Sequence, residues 1–148
     1  MTIKEFNIET FKNMDSMHDS YASEIKLDNT TLTIIYDKLD EGVLSQDGQP
    51  YYKNKKLTIK YNFDSFCDAK IYYSKNKYFL IDMIENYSKF DKIVRNCLLQ
   101  SFKFSVDSFN ELMLDFSIRK RIKGKYHKYK YWGLEIYMDA IKITYCWE

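Results

Sequence analysis

The sequence predicts an α+β domain: a mainly antiparallel, meander-like sheet of roughly seven to nine strands with one packed helix near residues 88–100. Three observations lead there. Apolar and polar residues alternate at every second position over several segments, which is the signature of a sheet with one solvated face. The chain holds 14 Tyr and 10 Phe but only 4 Gly and 1 Pro, and large rings pack well on a pleated surface. One stretch alone carries a sustained helical period.

Along the chain, Phe6, Phe11, Met14 and Met17 suggest one face of a short N-terminal helix. Ser23–Asp28 and Thr31–Asp37 read as a hairpin, because Asn29 between them tolerates left-handed backbone angles. Residues 38–55 contain two of the Gly, the only Pro and part of an acidic cluster, Asp37, Asp40, Glu41 and Asp47, so they read as a long loop. In Lys56–Phe63, Leu57, Ile59, Tyr61 and Phe63 share one face. Ala69, Ile71 and Tyr73 mark a strand at 68–73, with a turn at Ser74–Lys77.

For the helix at Ser88–Gln100, Phe90, Ile93, Val94, Cys97 and Leu98 follow the i, i+3, i+4, i+7, i+8 pattern, and Ser88 with Asp91 makes a capping box. Alternation then returns through Phe102, Phe104 and Val106, a turn at Ser108–Asn110, and Leu112, Leu114, Phe116 and Ile118. Trp132, Leu134, Ile136 and Met138 form a last apolar face. Its phase slips at Asp139-Ala140 to Ile141, Ile143, Tyr145 and Trp147, as at a β-bulge or a turn.

A chain of 148 residues matches one domain, residues 1–148, able to build its own core. No run approaches the roughly 18 apolar residues of a membrane span. Charges at Lys4, Glu5, Glu9 and Lys12 interrupt any signal-peptide core. The three cysteines, Cys67, Cys97 and Cys146, lie far apart and suggest neither a disulfide framework nor a zinc site. A cytoplasmic protein is expected. The abundance of Ile, Lys, Asn, Tyr and Phe, with A/T-rich codons, reads as bacterial coding bias.

The most distinctive segment is RKRIKGKYHKYK at 119–130, with seven basic residues and no acidic one. Residues 1–118 carry 15 basic and 18 acidic groups, net −3, whereas residues 119–148 carry 8 and 3, net +5. A solvated hairpin edge is the plainest account of such a segment. As a binding arm, Arg119, Arg121, Lys123, Lys125, Tyr126, Lys128, Tyr129 and Lys130 would take an acidic protein partner. The alternative is nucleic acid, whose phosphates attract Lys and Arg and whose bases stack on Tyr. His18-Asp19 is the only pair that invites an enzyme reading, with Ser20 beside it. The one other histidine is His127, so no metal set or catalytic triad is legible, and a capped turn explains the pair. No phosphate loop is present, and no cofactor is expected.

Met17-His18-Asp19-Ser20, ahead of a predicted strand pair, resembles the opening of several small bacterial sheet-rich families, some of which act as immunity proteins that bind and block a toxin. The resemblance spans about twenty residues. It implies a non-catalytic, protein-binding role and transfers no site residue. The basic arm and the acidic loop at 37–47 are the expected contact surfaces.

Overall fold

The computed structural model describes residues 2–12, 20–37, 43–44, 50–51, 56–95, 97–122, 125–127 and 131–148. In chain order these form β1 (Thr2–Asn7), α1 (Ile8–Phe11), β2 (Tyr21–Ala22), β3 (Glu24–Asp28), β4 (Thr31–Tyr36), β5 (Val43–Leu44), β6 (Pro50–Tyr51), β7 (Leu57–Ser74), β8 (Lys77–Asp82), α2 (Met83–Val94), β9 (Cys97–Val106), β10 (Leu112–Ile122), β11 (Lys125–His127) and β12 (Gly133–Trp147).

Ten strands join one sheet in the order β2-β9-β10-β12-β7-β4-β3, with β1 added to β12, β8 to β7 and β11 to β10, while β5 and β6 form a separate ribbon. Every pairing is antiparallel. The two ends of the main path are one stretch of chain, because only Ser23 separates β2 from β3. Ser101 donates its amide to the Ser20 carbonyl on one side, and Ser23 donates to the Ile35 carbonyl on the other. The path of backbone pairing therefore closes on itself.

The two long strands, β7 and β12, pair from Leu57↔Trp147 to Tyr72↔Gly133. Their halves take different neighbours. Residues 142–147 of β12 bind β1, and residues 133–138 bind β10. Residues 57–62 of β7 bind β4, and the stretch after Cys67 binds β8. The change of neighbours coincides with register shifts on both sides of Ala140, the place where the sequence phase slips. Asp139 holds this joint. Its Oδ1 accepts the amides of Asp64, Ser65 and Phe66 at 3.2, 3.0 and 3.0 Å, and its Oδ2 accepts the Ser65 amide at 2.9 Å and the Ser65 hydroxyl. One carboxylate thus satisfies the donors that the bulge frees from the ladder.

Inward-facing Leu32, Ile34, Tyr36, Leu57, Ile59, Tyr61, Leu112, Leu114, Phe116, Leu134, Ile136, Ile143, Tyr145 and Trp147 are all buried, as the alternation predicts. Tyr36 and Ser101 tie the two sides of the interior through their hydroxyls, 3.0 Å apart. The N-terminal segment fills one side of this core. Asn7 caps α1 by accepting the Thr10 amide at 2.9 Å. Phe11 is fully buried, stacked on Phe104 at 4.5 Å with Tyr61 and Tyr145 edge-on.

The structure corrects the helix. It spans Met83–Val94, and Asp82 caps it by accepting the Ile84 and Glu85 amides. Ser88 therefore sits inside the helix, two residues past its break at Asn86. Phe90, Ile93 and Val94 do pack inward, but the backbone is extended at Arg95 and Cys97–Gln100 pairs with β10. Leu99 is buried opposite Ile118. Cys97 and Leu98 fit both periods, and pairing with a neighbouring strand outweighs local propensity. The sheet also exceeds the expected strand number. Residues 2–7 add an edge to β12 where a helix face was expected, and β2 and β11 are too short to show alternation.

Three expected turns are present, with Asn29, Asn76 and Asn110 at φ 53, 56 and 60. Trp132, Ile141 and Phe102 were expected inside but are half exposed or more. Each sits next to a bulge or at a strand end, where period 2 fails.

Replacing Phe11 by Ala should cost about 3–5 kcal/mol in a denaturant melt, the usual range for emptying a filled aromatic site. Asp139→Ala should cost about 1–2 kcal/mol by leaving bulge amides without an acceptor. Partial burial alone would raise the Asp139 carboxyl, but the Ser65 hydroxyl and the Phe66 and Ser65 amides outweigh it and hold it below the usual value. A depressed folded pKa contributes stability above the unfolded value that is lost as pH falls through the folded one. Melts of wild type and Asp139→Asn should therefore differ at neutral pH and converge as pH falls below the ordinary aspartate range and through the lowered folded value.

Candidate functional site

Outward residues of the half-sheet β9-β10-β12-β7-β8 are placed by the same alternation that builds the core. Register sets them in rows. One row reads Lys103–Asp115–Glu135–Lys70–Leu80, and a neighbouring one places Tyr72 beside Tyr78. Another brings Asp68 directly opposite Asp82.

Glu135 is the hub. Its Oε1 accepts the Tyr137 hydroxyl at 3.0 Å and the Tyr72 hydroxyl across the strand pair. Tyr72 lies against Trp132 at 4.9 Å and Tyr78 at 5.4 Å between ring centroids. Trp132 is pinned at both ends. Its amide donates to the Tyr72 carbonyl at 2.9 Å and its indole nitrogen to the Ser74 carbonyl at 3.3 Å, yet half of the side chain stays exposed. The Lys70 ammonium sits over the Tyr78 and Tyr137 rings, 4.7 and 4.9 Å from their centroids.

This face carries more carboxylates than ammonium groups. Burial, then Glu135, raises the Asp115 carboxyl. Burial, then Asp82, raises Asp68. Burial, then Asp107 and Asp68, raises Glu111, against a smaller opposing effect of Lys70. The shifts share a sign because like charges crowd a half-buried surface. The hydrogen bond to Glu135, then burial, pushes the Tyr72 phenol up to about 12. Burial, then the bond to Glu135, raises Tyr137 as well. Both phenols stay protonated at neutral pH and donate to Glu135, which holds the rings in place.

The residues singled out from sequence do not gather here. Arg119 is exposed on β10. Arg121 lies on the same strand and pairs with Tyr126 of β11, next to Lys125, and only the backbone course of these three is described. Lys123, Lys128, Tyr129 and Lys130 lie outside the described residues, as do His18, Asp19 and most of the loop at 38–55. Ser20 is described and buried, and its carbonyl accepts the Ser101 amide.

Elsewhere, a cleft of about 240 Å³ opens where β3 parts from β9 and α2 wedges in, lined by Glu24, Asp91, Arg95 and Cys97 among others. Arg95 is paired with Asp91, and the Cys97 thiol donates to the Ile93 carbonyl at 3.3 Å. Cys67 is buried against Met83, and burial, then Asp68, pushes its thiol up to about 12. A thiol raised in this way is not an activated nucleophile. Among the described residues no group of His, Cys, Asp and Glu has the arrangement of a metal site.

Sequence reasoning missed Tyr72, Trp132, Glu135 and Tyr137. A signal for them did exist. The outward positions at 68–72 of β7 and 135–137 of β12 are Asp, Lys, Tyr and Glu rather than small polar residues, but only register brings them together. No protein-family model, curated protein or solved structure matches the chain.

The crowding of carboxylates can be measured. A folded pKa raised above the unfolded one means that the ionised form is penalised, so the cost appears as pH rises through the folded value. Asp68→Asn should stabilise the protein by about 0.5 kcal/mol at pH 7. That gain should vanish below about pH 3, where the aspartate is neutral.

Proposed function

We propose that the chain is a non-catalytic protein-binding module and that the outward face centred on Glu135 is its contact surface. The single observation that carries this is the prearranged cluster itself. Tyr72, Tyr78, Tyr137 and Trp132 are oriented by their contacts with Glu135, Lys70 and Ser74, and part of their surface remains open to solvent. Rigid rings offer contact area at little cost in rotamer entropy, and Trp and Tyr dominate binding hot spots. The excess of carboxylates suits a partner with a basic surface.

The basic run at 119–130 would offer a second contact of opposite charge, suited to an acidic protein partner. An immunity-type role, with a toxin as partner, is the form of this reading that the Met17–Ser20 resemblance implies. Nucleic acid on the arm is the alternative, and a gel shift at low salt tests it.

The two surfaces separate in one experiment. Immobilised protein is used to capture its partner from the native lysate as wild type, as Trp132→Ala with Glu135→Gln, and as an arm variant with Arg119, Arg121, Lys123 and Lys125 changed to Glu. The face variant should lose about tenfold or more of the captured partner, the size of one hot spot, and melt within a few degrees of wild type. The arm variant should retain it. The opposite pattern moves the contact to the arm, and unchanged capture by both variants removes both surfaces.

A further inference from the structure

Among the described residues, the exposed large apolar side chains include Tyr78 and Leu80 on β8, Tyr73 beside it on β7 and Ile84 just after it. Leu80 is 60% exposed. Among the described residues β8 pairs with β7 alone, so its other edge presents unladdered backbone. Natural edges are blunted by a central Lys, a Pro or a bulge. The Tyr-Phe-Leu-Ile run at 78–81 has none of these, and its only Lys stands at the end, Lys77. An unprotected apolar edge of this kind is a template for another strand.

We propose that β8 pairs antiparallel with β8 of a second copy of this chain, about a two-fold axis through Leu80. The choice of partner follows from self-complementarity. In an antiparallel pair opposed residues share a face, so a two-fold pairing that keeps outer faces together sets outward residues against outward ones, and centring it on Leu80 brings the most exposed apolar side chain of β8 against its mate. Leu80 is the central outward residue of β8. With Leu80 against its symmetry mate, the next outward positions on either side bring Tyr78 of one copy opposite Asp82 of the other.

That register bears on one like-charge pair within the chain, beyond the bonds by which Asp82 Oδ1 accepts the Ile84 and Glu85 amides. Asp82 directly opposes Asp68, a like-charge pair, and among the described residues neither makes an ion pair. Across the axis Asp82 would meet a tyrosine hydroxyl, and Lys70, held over that same Tyr78 ring, brings an ammonium group to the site. Apolar surface thus meets apolar surface on the axis, and donors meet acceptors on both flanks. This isologous arrangement closes at two copies. It joins the two Glu135-centred faces into one continuous sheet surface, yet it stands independently of any other partner.

Sedimentation of the full chain across concentration tests the pairing. The expected result is a reversible shift from 17.9 kDa to twice that mass, abolished by Leu80→Lys, whose far-UV spectrum and melt should match wild type because the side chain is exposed. Leu80→Cys supplies an independent readout. Directly opposed residues place their α-carbons about 4.5–5.5 Å apart, within the range a disulfide spans. Mild oxidation should therefore link Leu80→Cys chains in pairs, and link wild type or Tyr73→Cys chains at least tenfold less. A monomer at concentrations on the order of 1 mM overturns the proposal. So does a dimer that survives Leu80→Lys, or one that crosslinks equally well through Tyr73→Cys. Neither readout involves Trp132 or Glu135, so failure here leaves the binding face untouched.

Discussion

The fold depends on the pairing of β7 with β12 and on the joint where both change neighbours. A strand pair this long accumulates twist, and a flat continuation could not serve β1 and β4 at one end while serving β10 and β8 at the other. The bulge relieves this by freeing three successive amides of β7, and the Asp139 carboxylate collects them. The phase changes on β12 alone, whose buried apolar side chains lie at even positions from Leu134 to Ala140 and at odd positions from Ile143. On β7 Phe63 and Cys67, four positions apart, keep the same face across the irregular stretch, whereas on β12 Ala140 and Ile143 are both buried across an odd count of three.

Interior and exterior obey different physics. The interior is held by apolar burial, with its few hydroxyls, such as Tyr36 and Ser101, bonded to one another. The outer face of the β8 half carries carboxylates in register with carboxylates, Asp115 opposite Glu135 and Asp68 opposite Asp82. A sheet selected only for stability would alternate charges across its strands. Here stability is given up on one face, and that face also holds the half-exposed rings. Coincidence of electrostatic crowding with ordered aromatic surface is what distinguishes it from a merely solvated sheet.

Much of the fold was legible in the residues. Leu57–Phe63, Leu112–Ile118 and the Asn29 hairpin follow from alternation and from the tolerance of Asn for left-handed angles, both local properties. The phase slip at Asp139 was legible for the same reason. The helix was legible in kind but not in extent, because Cys97 and Leu98 satisfy a helical and a strand pattern equally. The candidate face was hardly legible at all. Tyr72 and Glu135 are 63 positions apart, and their hydrogen bond exists only through strand order.

The amino-acid sequence by itself determined most of the long strands, which side of each is apolar, where the tight turns fall and where the ladder must slip, since all of these are set by neighbours within a few residues. Tertiary structure alone decided lateral order, the closing of the pairing path through Ser20–Asp28, the end of α2, and the company that Glu135 and Leu80 keep. The reason is that alternation specifies a face but carries no address. Which strand lies beside which depends on loop closure and on competition among many similar apolar edges, and that is settled only when the whole core packs at once.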